Sequence, residues 1–535
     1  MKHPFLLNIT LTLLLVSMGT CLNGFSQTVQ PVSTFNDGLP RSTPEEQGVP
    51  SKVIAAFFQQ LEQKGYEVHS VMMLRHGKVI AEHWWAPYAP QYQHAMYSAT
   101  KTFTGMAVGF AVQEGLLHID DKVTSFFPDL LPDTLSPQLA KLTVKHLLTM
   151  SVGHASTSYA GSGRSQVKSF LAAGFAYEPG THFAYDITAS HLLSHILTKV
   201  TGMTLHEYLK PRLLDPLGIK DVVWEMDNDG VNMGNGGTHM KTSDMAKMGL
   251  FLIQKGKWNG KQLLNAAWVE AATTPHIQQH PERTVAENER AADDASQGYG
   301  YQVWMGRHHS YRAIGGQNQL IMVIPDYDFV LVCHSSISDE AGFNSLIYNM
   351  LPSMSAKPLK KDPSFNLSAS LSKYQLKRPF EGKSVVSVTM GTRRFELAEN
   401  ALGIKNVFFR FDGAGNCHLT FITAGAIHNI PFGLDTWLIG TTDRSLAMSR
   451  AVYPNPMDVT PVQAAGICTW TAANKLSAHY LSMFNPGSTE TFSFVFEGNQ
   501  LHMEIVAPTG RRLGPPSAPT ATPTTNIVLT GTLMN

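Results

Sequence analysis

Met96-Tyr97-Ser98-Ala99-Thr100-Lys101-Thr102-Phe103 sets a serine and a lysine three residues apart at the start of an apolar helix. Positions i and i+3 share one helix face, about 5–6 Å apart at Cβ. A lysine so placed can take the serine's proton if desolvation or nearby cations suppress its own charge. The helix is legible in the 3,1,3,1 spacing of Phe103, Met106, Ala107, Phe110 and Ala111, with Gly115 as its stop. Ser98 falls in the first turn, where unpaired backbone N–H groups and the helix dipole favour negative charge. The spacing recurs at Ser165/Lys168 and Ser370/Lys373. Ser165 follows a Gly/Ser-rich stretch and Ser370 sits in a polar link, so only Ser98 opens a long apolar helix behind a predicted strand hairpin.

Working outward, 535 residues exceed one ordinary domain. Forty-one basic residues balance 41 acidic ones. The scattered basic residues argue against a nucleic-acid partner. Residues 1–26 read as a signal peptide: a basic start at Lys2, an apolar run from Leu6 to Val16, and small residues at Gly24 and Ser26. The expectation is export to the periplasm or medium, with lipidation of Cys21 as the lesser alternative because Thr20 fits a lipobox poorly. No later run is long enough to span a membrane. Cys333, Cys417 and Cys468 imply no disulfide framework and read as small buried residues, although a Cys417–Cys468 bridge stays open. No metal is expected, since no Cys or His pair has supported zinc-ligand spacing.

Residues 27–45 read as a polar linker. A helix capped by Ser51 follows, then two strands within His69–Glu82, the Ser98 helix, helices near 188–200 and Asp244–Gln254, and strands at Tyr299–Met305, Gln319–Ile324 and Phe329–Cys333. A helix through Phe343, Ile347 and Met350 ends this half, giving an α+β body over 46–352 whose sheet draws on both ends of the segment. Residues 353–375 form a Ser/Lys/Pro-rich linker. From 376 to 506 short strands alternate with turns, among them Val385–Met390, Val407–Phe411, His418–Ile422 and Leu501–Ile505, as in an antiparallel sheet or small barrel. Residues 507–535 read as a low-complexity tail.

The Gly-x-Ser-x-Gly elbow is absent. Instead Ser98 and Lys101 precede Phe183-Ala184-Tyr185-Asp186-Ile187 and then Tyr311-Arg312-Ala313-Ile314-Gly315-Gly316-Gln317-Asn318-Gln319. Over 46–352 this order resembles the serine β-lactamase and penicillin-binding-protein-like superfamily, especially its class C, esterase and 6-aminohexanoate-dimer-hydrolase-like members. Its motifs are Ser-x-x-Lys, Tyr-x-Asn and Lys-Thr-Gly or their variants. The resemblance implies a central antiparallel sheet flanked by helices, no cofactor, and an acyl-enzyme on Ser98. Lys101 would be the general base and Tyr185 the proton relay, its phenol lowered by cationic Lys101. Backbone N–H groups of Ser98 and Gly316 would form the oxyanion hole on the Gly315 strand. Ile187 replaces the asparagine of the second motif, Ala313 the cation of the third, and Asn318 a usual glycine. Those departures favour a small ester or amide over a penicillin or stem peptide, with His239 or Arg312 as substitute cations. A D,D-peptidase or β-lactamase stays open, as does a catalytically weak protein that binds through a lipocalin-like β-rich domain.

Overall fold

The strand Val68–Arg75 (β1) is buried at every position, which requires cover on both faces of its sheet. Its side chains alternate between two cores: Val71 and Met73 enter one, Met72 and Leu74 the other. The structure, a computed structural model, describes residues 35–157, 159–279, 286–386, 391–423, 427–442, 462–485, 489–508 and 524–534. The predicted signal peptide at 1–26, including Cys21, lies outside the described residues.

β1 pairs with Lys78–Trp84 (β2) in a tight hairpin around His76 and Gly77. Short strands His94–Ala95 (β3), Val223–Trp224 (β4) and Thr238–Met240 (β5) form a separate small sheet, and Lys257–Trp258 (β6) with Lys261–Gln262 (β7) a minor hairpin. Trp304–Met305 (β8), Tyr311–Gly315 (β9), Gln319–Ile324 (β10) and Phe329–Ser335 (β11) complete the main sheet in the order β2-β1-β11-β10-β9-β8. All its neighbouring pairs are antiparallel. The predicted strand Tyr299–Met305 reduces to β8.

The helices Ser51–Gln63 and Glu340–Tyr348 cover one face, packing Phe57, Phe58 and Phe343 onto it. The other face receives Thr242–Ile253 and the Thr100–Gln113 helix. Thr100 to Ala111 of that helix are all buried. A helix buried on every side belongs in the centre of a domain, so its first turn is held from all directions. Residues 353–375 carry a Leu367–Leu371 helix, and Leu371 and Tyr374 join the core beneath Ser51–Gln63. The predicted linker is therefore partly structure of the N-terminal α+β body.

The remaining strands are Arg393–Leu397 (β12), Ile404–Phe411 (β13), Cys417–Thr423 (β14), Ile427–Leu434 (β15), Leu438–Thr442 (β16), Val462–Ala472 (β17), Lys475–Ser482 (β18), Thr489–Glu497 (β19), Gln500–Pro508 (β20) and Thr524–Leu533 (β21). They form one ten-stranded sheet that a β15–β17 pairing closes into a barrel. The predicted tail is corrected here: β21 pairs with both β20 and β12, because its alternating Ile527, Leu529 and Leu533 supply an inward apolar face. The predicted strand Val385–Met390 lies partly outside the described residues, and Val385 itself is in a bend. Phe395, Phe409, Phe421, Phe432, Phe492 and Phe494 fill the barrel interior. Cys333, Cys417 and Cys468 are buried free thiols. No helix of the described residues is long and apolar enough to cross a membrane.

The barrel docks beside β3 and β5. Tyr88 packs with Ala465, Leu481 and Met483. The Ala95 N–H donates to the Phe484 carbonyl at 3.0 Å, and the His239 ring stacks on Phe484 at 3.6 Å.

Candidate active site

β3 delivers the chain to Met96, whose N–H donates to the Thr238 carbonyl. Tyr97–Ala99 then forms a single 3-10 turn before the long helix. Tyr97 has φ 45°, a left-handed conformation that bulky residues avoid. The surrounding structure fixes this turn and leaves Ser98 half-buried at the helix entrance.

Lys101 Nζ lies 2.8 Å from Ser98 Oγ and donates to the Asn235 carbonyl at 2.7 Å. The lysine is 2% exposed. Burial lowers its pKa to about 7, against a smaller opposing pull from Asp186. A neutral amine carries one lone pair. With one N–H committed to Asn235, that pair can face the Ser98 hydroxyl.

Tyr185 stands on the other side. Its ring centroid lies 5.0 Å from Lys101 Nζ, and its phenol is electrostatically coupled to the Ser98 side chain. Burial raises the phenol's pKa, the Ser98 side chain partly offsets this, and Glu340 adds to the rise. The expected lowering of Tyr185 by a cationic Lys101 is thus reversed. Desolvation acts on both groups, disfavouring the ammonium and the phenolate alike. Near neutrality the pair holds an amine that can accept a proton and a phenol that can donate one.

Asp186 caps the following helix, Ile187–Thr201, accepting from Thr188 N at 2.8 Å and Ala189 N at 3.1 Å. Its other oxygen accepts from the Tyr159 hydroxyl at 2.9 Å. Burial lifts this carboxyl to about 6, with those bonds holding it back. Trp304 stacks on Tyr185 with centroids 5.4 Å apart.

The β9 end closes the site from the sheet side. A Cβ at Gly315 would stand 2.0 Å from the Met96 carbonyl oxygen, so only glycine lets the strand meet the Ser98 turn. A Cβ at Gly316 would stand 3.7 Å from the Tyr97 ring, in ordinary contact. Gln317 and Asn318 follow with φ 62° and 64°, and the Asn318 N–H donates to the Gly315 carbonyl. Asparagine tolerates this left-handed position better than most residues, which explains how Asn318 can replace a glycine.

The structure therefore gathers Ser98, Lys101, Tyr185, Gly315 and Gly316. Ile187 is 41% exposed at the first turn of its helix, beside Tyr185. Ala313 is only 2% exposed and belongs to the core with Ala99 and Phe103, so its methyl group offers a substrate almost no surface. Neither substitute cation is free for substrate. Arg312 is tied to Glu340 at 3.0 Å and to the Met305 carbonyl, and His239 is held against Phe484 and Asn485 of the barrel.

Sequence reasoning missed the Asn235 carbonyl, Trp304, Tyr159 and Asp186. Asp186 was within reach, since an aspartate immediately before an apolar helix is an N-cap signal. Asn235 acts through its backbone and leaves no side-chain signature. Reasoning from spacing also missed His191, His195 and Asp227, whose ligand atoms cluster within 4.8 Å. Their bonding does not suit a metal. His191 Nδ1 accepts from the Gly234 N–H, so its Nε2 carries the proton and donates to Asp227 Oδ2 at 2.9 Å.

A model of the Beta-lactamase family matches residues 53–351, more than half of the chain. The chain is 23% identical over 316 residues to an uncharacterized protein of Alkalihalophilus pseudofirmus, covering 52% of this chain and 86% of that one. It is 26% identical over 253 residues to the 6-aminohexanoate-dimer hydrolase of Paenarthrobacter ureafaciens, covering 43% of this chain and 64% of that enzyme, just under two thirds of its length. Among solved structures, a family VIII carboxylesterase aligns at 14% identity with a TM-score of 0.47, over 58% of this chain and 98% of its own. The family match spans the main sheet, the Ser98 helix and the Gly315 turn, and the chain belongs to the Beta-lactamase family of serine hydrolases.

Proposed function

We propose that this chain cleaves an ester or amide bond through an acyl-enzyme on Ser98. The observation that carries the reading is the buried Lys101 amine, 2.8 Å from Ser98 Oγ with its charge suppressed by desolvation. Lys101 takes the hydroxyl proton as Ser98 Oγ attacks the substrate carbonyl. The N–H groups of Ser98 and Gly316 receive the developing oxyanion, and removing one such donor typically costs about 10²–10³ in rate. Tyr185 gives its proton to the leaving group and recovers one from Lys101. Water then attacks the acyl-enzyme by the same route in reverse, releasing the acid and restoring Ser98.

The substrate lacks a carboxylate that must be gripped. Ala313 supplies no charge, Arg312 and His239 are engaged elsewhere, and Ile187 and Trp304 present apolar surface beside Tyr185. That favours a neutral ester or amide over a penicillin or stem peptide. The name of one relative, 6-aminohexanoate-dimer hydrolase, is consistent with cleavage of an amide bond. The aromatic filling of the barrel supports a bracing role for the second domain rather than ligand storage. The sequence pattern of residues 1–26 supports export, and a mature protein beginning at Gln27 would bear this out.

A fluorophosphonate probe should label the wild type and not Ser98→Ala. An unlabelled wild type would refute the reading. Nitrophenyl ester cleavage without nitrocefin turnover is expected, and rapid nitrocefin hydrolysis would favour a β-lactamase instead.

A further inference from the structure

The helix that starts beyond Tyr185 carries a second polar cluster, on its buried side. His191 is 1% exposed, His195 7% and Asp227 6%. Asp227 Oδ2 accepts from His191 Nε2 and His195 Nε2, both at 2.9 Å, and its Oδ1 accepts from the backbone N–H groups of Asp229 and Val231 at 2.9 and 3.0 Å. The carboxylate's acceptor sites are thereby filled by protein donors alone.

Asp227 belongs to the loop 225–237, which returns to the catalytic lysine. The Met233 N–H donates to the Glu225 carbonyl, and Ser194 Oγ donates to the Asn232 carbonyl at 2.7 Å. The Gly234 N–H donates to His191 Nδ1 at 3.3 Å, while Thr104 Oγ1 donates to the Gly234 carbonyl at 2.8 Å. A Cβ at Gly234 would stand 2.5 Å from the Ser190 carbonyl oxygen, so the loop lies flush on the helix. The next residue is Asn235, whose carbonyl accepts from Lys101 Nζ. His191 is thus held at both ring nitrogens. Asp227 sets its tautomer, and that tautomer leaves Nδ1 as the acceptor for the N–H of Gly234, the residue before the lysine's partner.

We propose that His191, oriented by Asp227, is a positioning residue that fixes the Gly234–Asn235 backbone and thereby aims the Lys101 amine at Ser98. The proposal rests on the Ser98 hydrolase reading for its kinetic consequence but not for its geometry. A displaced Asn235 carbonyl has two effects. Lys101 loses the acceptor that orients its lone pair, and its ammonium form loses a stabilising partner.

The test compares His191→Leu, His191→Asn and His191→Gln in the full chain. Asparagine can place an oxygen near the former Nδ1 and keep the Gly234 bond, whereas glutamine keeps only a donor near the former Nε2. His191→Leu is expected to slow fluorophosphonate labelling of Ser98 by about 10–100-fold, since misplacing a reacting group by about 1 Å can cost up to about 100-fold. His191→Asn should recover most of that rate and His191→Gln less. With an ester substrate kcat should fall while KM holds, because none of these side chains reaches the cleft. Lysine-selective carbon NMR reads the Lys101 titration without substrate, and its midpoint should move to lower pH in His191→Leu. If His191→Leu fails to fold, the asparagine and glutamine variants carry both readouts. Wild-type labelling rates with an unmoved Lys101 midpoint would overturn the proposal. If the wild type itself is not labelled, the hydrolase reading fails, and the Lys101 midpoint alone still decides the positioning role.

Discussion

Replacing Lys101 by methionine should make the folded protein more stable at neutral pH while disabling Ser98. Moving the lysine pKa from 10.5 to about 7 disfavours the buried ammonium by about 5 kcal/mol, at ~1.4 kcal/mol per pKa unit. The sign follows from proton counting. Between those two values the unfolded chain holds the proton and the folded chain has released it, so stability rises with pH across the window. The penalty is complete below pH 7, amounts to about 4 kcal/mol at pH 7 and about 2 kcal/mol at pH 9, and vanishes above the unfolded value. Methionine matches the stem in length and never ionises. It forfeits the contacts to Ser98 and the Asn235 carbonyl, a net loss of about 1 kcal/mol each. The variant should therefore exceed the wild type by about 2 kcal/mol at pH 7 and roughly equal it at pH 9. Packing differences cancel between the two conditions, so urea titrations of both proteins at both pH values isolate the ionisation. A stability difference that does not change between pH 7 and pH 9 would refute the claim that Lys101 is neutral in the folded state.

The same neutral amine should set the pH dependence of catalysis: ester cleavage should climb through a midpoint near 7, the value burial gives Lys101. Asp186→Asn keeps the helix cap but removes a negative charge that favours the ammonium, so that midpoint should move to lower pH; a move to higher pH would contradict the assigned attraction. Gly315→Ala forces a Cβ to within 2.0 Å of the Met96 carbonyl. It should lower stability by about 1–3 kcal/mol and abolish labelling, measured by urea unfolding and probe incorporation. Tyr185→Phe should reduce kcat by about 10²–10⁴ for a poor leaving group and far less for nitrophenolate, because only the former needs the proton. Equal losses on both substrates would argue against a donor role.

The parts of the fold that could be read in advance are those whose chemistry is local. The long helix announced itself through Phe103, Met106 and Phe110, and its stop at Gly115 adopts φ 71°. Strands β1, β10 and β11 followed from apolar runs bounded by turns. Strand β21 escaped because its neighbours in sequence are rich in Pro and Thr, while its partners, β12 and β20, are supplied by the closed barrel. The Asn235 carbonyl escaped for a different reason: any residue has a carbonyl, and only the path of the loop directs this one at Lys101. Ala313 sat at a motif position but lies in the core, since alternate residues of β9 face the Ser98 helix and not solvent.

The decisive quantity was never in the spacing. Ser-x-x-Lys occurs at Ser98, Ser165 and Ser370 alike. Lys168 and Lys373 are exposed, whereas Lys101 is buried. Ser165 Oγ instead donates to the Ser162 carbonyl and fastens a surface turn. Only Lys101 is sealed between a helix buried on every side, the loop 225–237 and the Tyr185 ring. A motif becomes a base when the fold withdraws water from it, and the resulting lysine is a source of strain that the rest of the core must hold in place. The same desolvation keeps Tyr185 protonated, so a single physical cause assigns acceptor to the amine and donor to the phenol. An exposed Lys101, by this logic, would retain the spacing and lose the chemistry.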